Sequence, residues 1–97
     1  MRMQLKVSIP VEKGNAAIQD GSLPKTIEKA LSSLKAEAAY FTVQDGVRTG
    51  FIYFDMADQS DMVAAGEPLF MGLDAEIDLT PAMTPDDLQA GFKKAFG

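Results

Sequence analysis

Ala39-Tyr40-Phe41-Thr42-Val43-Gln44-Asp45-Gly46-Val47-Arg48-Thr49-Gly50-Phe51-Ile52-Tyr53-Phe54-Asp55 is the stretch that decides the fold. Two runs rich in aromatic and β-branched residues flank a single Asp-Gly pair. Both central residues of a type I′ turn need positive φ, and Asp-Gly meets that requirement cheaply, so the stretch predicts a β-hairpin with strands over 39–44 and 47–55. A two-residue loop pairs Gln44 with Val47, Thr42 with Thr49 and Tyr40 with Phe51, and paired residues share a face. One face then carries Phe41, Val43, Ile52 and Phe54. The other carries Tyr40, Thr42, Thr49, Phe51 and Tyr53.

Outward from the hairpin, punctuation sorts the chain into elements. Met3, Leu5, Val7 and Ile9 alternate with polar residues, which predicts a half-buried strand closed by Pro10. Val11 to Asp20 is a short, weakly helical stretch. Ser22 is placed to cap a helix that carries Leu23, Ile27, Ala30, Leu31 and Leu34 at spacings of three and four and runs to about Lys35. After the hairpin, Asp58 is placed as the cap of a helix bearing Met62, Val63, Ala65, Leu69 and Phe70, with a break or kink expected at Gly66 and Pro68. Ala75, Ile77 and Leu79 alternate as a fourth strand ended by Pro81. Thr84-Pro85-Asp86-Asp87 then reads as a cap, a proline at the first helical position and acids in the first turn, ahead of a last helix with Leu88, Phe92 and Phe96 (or Ala95) on its stripe.

The order is β-α-β-β-α-β plus a terminal α. That is the ferredoxin-like, split-βαβ pattern of the α+β class, with a four-stranded antiparallel sheet and helices on one face, in one domain over residues 1–97. The strand periodicities place Met3, Leu5, Val7, Ile9, Phe41, Val43, Ile52, Phe54, Ala75, Ile77 and Leu79 toward the helices. The opposite face carries Gln4, Lys6, Ser8, Tyr40, Thr42, Thr49, Phe51, Tyr53, Glu76, Asp78 and Thr80. Three large aromatics on a flat, uncovered face form a patch larger than a soluble monomer usually exposes. A second copy related by a two-fold axis is the commonest cover, so a homodimer through this face is expected.

Composition narrows the chemistry. The 97 residues contain no cysteine, histidine or tryptophan. That removes disulfides, thiolate nucleophiles, imidazole bases and the usual zinc ligands. No metal motif and no phosphate-binding loop is present, and no cofactor is implied. Asp55, Asp58 and Asp61 lack the glycine and distal glutamate of a calcium loop. Net charge is −5, which disfavours nucleic acid as a partner. The charge is uneven: residues 1–50 carry a net +2 and residues 51–97 a net −7. There is no apolar block of signal-peptide or membrane-spanning length, so no membrane partner is expected and a cytoplasmic location follows by default.

Glu67-Pro68-Leu69-Phe70, leading into a short strand that ends in Thr80-Pro81, together with the hairpin and the length, resembles the dimeric α+β barrel superfamily, and within it proteins similar in layout to muconolactone isomerases. The resemblance implies two sheets facing each other around a small cavity. Active members of the superfamily mostly use an axial histidine, or asparagine, tryptophan or histidine. This chain has no histidine or tryptophan, and its only asparagine, Asn15, lies outside the strands. No catalytic residue carries over, and an enzyme ranks below a binding module. The expected function is to hold a small metabolite between the sheets, on a candidate cavity face of Lys6, Tyr40, Thr42, Thr49, Phe51, Tyr53, Glu76 and Asp78. One alternative is a cofactor-independent isomerase or oxygenase acting on a small cyclic substrate, with Tyr40, Tyr53, Lys6 and Glu76 as acid, base and orienting groups. The other is a purely structural oligomerisation module. On the structural side, Lys6 with Glu76 and Asp78 reads equally as an ion pair fixing register, the tyrosines as interface packing, and Arg48 as either an anion clamp or a solvated hairpin end.

Overall fold

The computed structural model describes all residues from Met1 to Gly97. Its elements, in chain order, are β1 (Arg2–Ile9), α1 (Val11–Gln19), α2 (Ser22–Leu34), β2 (Ala38–Gln44), β3 (Val47–Asp55), α3 (Asp61–Leu73), β4 (Glu76–Pro81) and α4 (Pro85–Phe96). The hairpin forms in the expected register, Gln44 opposite Val47 and Tyr40 opposite Phe51. Asp45 and Gly46 both adopt positive φ, 54° and 79°, which is why this dipeptide turns the chain so tightly.

The sheet runs β2-β3-β1-β4 and every pairing is antiparallel. This is an α+β fold whose order is compatible with βαββαβ plus a C-terminal helix. The first strand lies in the middle of the sheet. Met3, Leu5, Val7 and Ile9 are therefore buried, and their partners Ile52 and Phe54 with them. Helices cover this side through Ala17 on α1, Leu23, Ile27, Ala30, Leu31 and Leu34 on α2, and Ala65, Leu69 and Leu73 on α3. The rest of the molecule is organised around this layer, since burying each large aliphatic or aromatic side chain is worth about 1.5–3 kcal/mol.

Several local expectations change. Phe41 and Val43 point to the helix side as the register requires, but they are 57% and 73% exposed. They sit on the edge strand β2, where α2 covers the sheet only in part and Phe41 shares an open hollow with Leu23 and Ile27. Phe41 instead lays its ring over Gly50, where an added Cβ would come within 2.9 Å of the ring and 3.1 Å of Val7 Cγ1. Ser22 does not cap α2. Its backbone N–H donates to Asp20 Oδ1 at 2.8 Å, and Gly21, with φ 79°, occupies the cap position. Asp58 likewise stands two residues ahead of the cap Ser60, whose backbone N–H (3.0 Å) and hydroxyl it accepts. α3 runs through Gly66 and Pro68 as one helix. A missing proline N–H costs about 3 kcal/mol, and the buried stripe of Ala65, Leu69 and Leu73 outweighs it.

α4 carries the expected capping box. The Asp87 backbone N–H donates to Thr84 Oγ1 (3.2 Å), and the Thr84 N–H donates to Asp87 Oδ2 (3.0 Å). Yet every residue of α4 is exposed, and the helix makes no extensive contact with any other element. The molecule is consequently elongated, 55 × 27 × 18 Å with a radius of gyration of 15.3 Å. A compact chain of this length has about 12–13 Å. No helix is long and apolar enough to cross a membrane.

Candidate functional site

The face of the sheet away from the helices is built from strand registry alone. Side chains alternate along each strand, so each row across the sheet takes one residue from each of four strands. Tyr40, Phe51, Lys6 and Asp78 form the central row. Thr42, Thr49, Ser8 and Glu76 form the row toward the hairpin turn, and Ala38, Tyr53, Gln4 and Thr80 the row on the other side. All eight candidate residues from the sequence lie on this one face. The structure places Lys6 directly opposite Asp78, with Glu76 on the adjoining row.

The residues differ in what they offer. Tyr40 is 66% exposed at the edge of the sheet and meets Tyr53 edge-to-face at 6.4 Å. The Tyr53 hydroxyl donates to Gln4 Oε1 at 3.0 Å, which fixes the ring and leaves the phenol oxygen to accept. Gln4 was not among the candidate residues, although its even position in β1 puts it on the same face as Lys6. Thr49 is 3% exposed, and its hydroxyl donates to the Val47 carbonyl at 3.1 Å. It supports the sheet and presents no free group. Phe51 and Lys6 are half-buried in the middle of the face, while Thr42, Glu76 and Asp78 are exposed at its margins.

Two ion pairs form in the chain, Met1 amine to Asp55 at 2.7 Å and Arg2 to Glu37 at 2.7 Å. The Glu37 hydrogen bond and charge hold the exposed Arg2 guanidinium above its ordinary pKa. Arg2 shares the parity of Lys6, so this pair occupies the rim of the same face. Lys6 has no such partner: neither Asp78 nor Glu76 reaches ion-pair distance. The register-fixing ion pair is therefore not made within one chain. Arg48 is half-buried and makes no ion pair within the chain. It lies opposite Ile9 on the helix side, packs against Gly14, where a Cβ would sit 2.5 Å from its Nη1, and donates to Asn15 Oδ1 at 3.0 Å. It ties α1 to β3.

The principal hollows of the single chain all lie on the helix side: a cleft of about 230 Å³ between α2 and α3 at Ala30, Ala65 and Pro68, a hollow of about 220 Å³ beneath Phe41 and Ile27, and an apolar trough along α3 and β4. No group of His, Cys, Asp and Glu is arranged to hold a metal. Lys6, Phe51 and Tyr53 of the open face line none of these hollows. Compared with known proteins, the chain matches no family model and no curated protein.

Proposed function

We propose that this chain works as a homodimer, a dimeric α+β barrel in which two open faces oppose each other and hold a small carboxylated, ring-bearing metabolite between them. One observation carries the reading: a row of Tyr40, Phe51, Lys6 and Asp78 crosses the whole uncovered face, and Lys6, the cation at its centre, has no carboxylate at ion-pair distance. Two such faces at the usual sheet-to-sheet spacing of about 10 Å supply aromatic walls for a ring and an ammonium for a carboxylate. Ligand sites are commonly built this way, with apolar lining and a few convergent polar groups. Tyr53, held by Gln4, adds an acceptor of fixed position. This palette suits recognition. With no histidine in the chain, general acid–base work at neutral pH would fall to tyrosine, lysine and carboxylates, which supports binding over catalysis.

The test is thermal unfolding with benzoate, salicylate and cyclohexanecarboxylate as probes. A specific binder raises the melting temperature by mass action, by about 2.7 kcal/mol at a hundredfold excess over Kd, which is many degrees for a domain of this size. The expected result is a shift with at least one ring carboxylate that is lost in Lys6→Gln and reduced in Phe51→Ala. No shift with any probe, or an equal shift in Lys6→Gln, contradicts the assignment of the site.

A further inference from the structure

We propose that α4 is an exchanged arm: it docks in the apolar trough along α3 and β4 of a second copy of this chain, and the second copy returns the contact. The arm has a full set of features for packing and nothing in its own subunit to pack on. Leu88, Phe92 and Phe96 lie on one side of the helix at spacings of four, 42%, 48% and 85% exposed, with the two phenyl rings 6.5 Å apart. A helix with a continuous apolar stripe is stable in water only when that stripe is covered.

The trough is a matching receptor. Met62, Val63, Gly66, Phe70, Ile77 and Leu79 line a hollow of about 400 Å³. Through Met62 and Leu79 it continues into a second hollow of about 590 Å³ beside Met56 and Pro81. Gly66 makes the trough deep, because its missing side chain lets Ile77 Cδ1 lie where a Cβ would come within 2.7 Å. From Met62 to Phe70 is eight helical residues, about 12 Å, and from Leu88 to Phe96 is the same. Charge complements the trough at the C-terminal end of the arm alone, because α4 also carries Asp86 and Asp87 in its first turn. α3 carries Asp61 and Glu67 and no basic residue, and the only basic residues in 51–97 are Lys93 and Lys94, at the end of α4.

The occupant is a second copy because the arm is aimed away from its own trough. The Ala82 N–H donates to the Arg2 carbonyl at 3.1 Å, so the β4–β1 ladder continues past Pro81. Thr84 is in an extended conformation, with φ −79° and ψ 167°, and is fixed by its capping box. α4 thus leaves in line with the sheet, and the molecule reaches 55 Å. Reciprocal exchange closes under a two-fold axis. With Leu88, Phe92 and Phe96 exposed to 42%, 48% and 85%, the three side chains of each arm and a like area in each trough bury on the order of 1500 Å² in two contacts, within the range of specific interfaces.

The chain has no cysteine of its own, so introduced pairs report the contact cleanly. A chain carrying Phe92→Cys and a differently tagged chain carrying Val63→Cys, produced together and oxidised, are expected to give a covalent species containing one of each. Absence of that species overturns the proposal, as does a link closed within one polypeptide when both substitutions share a chain. As a second measurement, Leu88→Ser with Phe92→Ser, which touches no packed residue of its own subunit, is expected to weaken dimerisation at least tenfold in sedimentation. An unchanged dimer overturns the proposal. The arm contact does not rest on sheet pairing, so the 92–63 link is expected to persist in Phe51→Asp. Its loss there would reduce the arm to a by-product of the sheet dimer.

Discussion

Gly50 shows how much one atom decides in this sheet. It sits opposite both Val7 and Phe41, and its bare Cα is what allows the Phe41 ring to approach it so closely from the edge strand. The ring could swing away, but Val7 is wholly buried and cannot. Gly50→Ala is therefore expected to destabilise the protein by about 1–3 kcal/mol, as overpacking does, measured by urea denaturation. Gly91→Ala, on α4, meets open space and should leave core stability untouched, while raising helix content slightly. The residue scale is also where sequence reading missed most. Arg48 and Asn15 lie 33 positions apart, and nothing local to either announces the bond. The hydroxyl of Thr49 turned out to be occupied by its own strand. Gln4 was visible by parity alone, because a residue's face can be counted while its hydrogen-bond partner cannot.

At the scale of elements, the α4 capping box and the Asx turns give a pH dependence with a definite sign. The Thr84 backbone and side-chain hydrogen bonds, aided by Arg2, hold Asp87 below its ordinary pKa of 3.8. The bonds with Ser22 do the same for Asp20, and those with Ser60 for Asp58. A carboxylate with a lower pKa when folded adds stability that is complete above its unfolded pKa and is lost as pH falls through the folded one. The first turn of α4 is thus expected to fray as the pH drops below about 3.8, read from the amide shifts of Thr84 and Asp87. Thr84→Ala should fray that turn even at pH 7. Element types were legible because each signal is local: Asp45-Gly46, the alternation in β1, Thr84-Pro85. The break expected at Gly66 and Pro68 does not occur, because the continuous burial of Leu69 and Leu73 is a tertiary fact. The two misplaced caps were off by one or two residues, where several small polar residues compete for the same N–H groups.

For the whole molecule, the face was legible and the juxtaposition on it was not. Period two and hairpin register assign every strand residue to a side. That Lys6 lies opposite Asp78 depends on β1 pairing with β4, strands some 70 residues apart, and no local pattern encodes that. The elongation was invisible for the same reason: a stripe of Leu88 and Phe92 says that a helix must pack, but not on what. Two apolar surfaces remain uncovered in the single chain, the aromatic sheet face and the α4 stripe with its trough, and the second copy proposed above would cover both. Sedimentation equilibrium of the native protein at micromolar concentration tests this most directly. The expected result is a single species at twice the 10.4 kDa chain mass. A single species at the mass of one chain would contradict it.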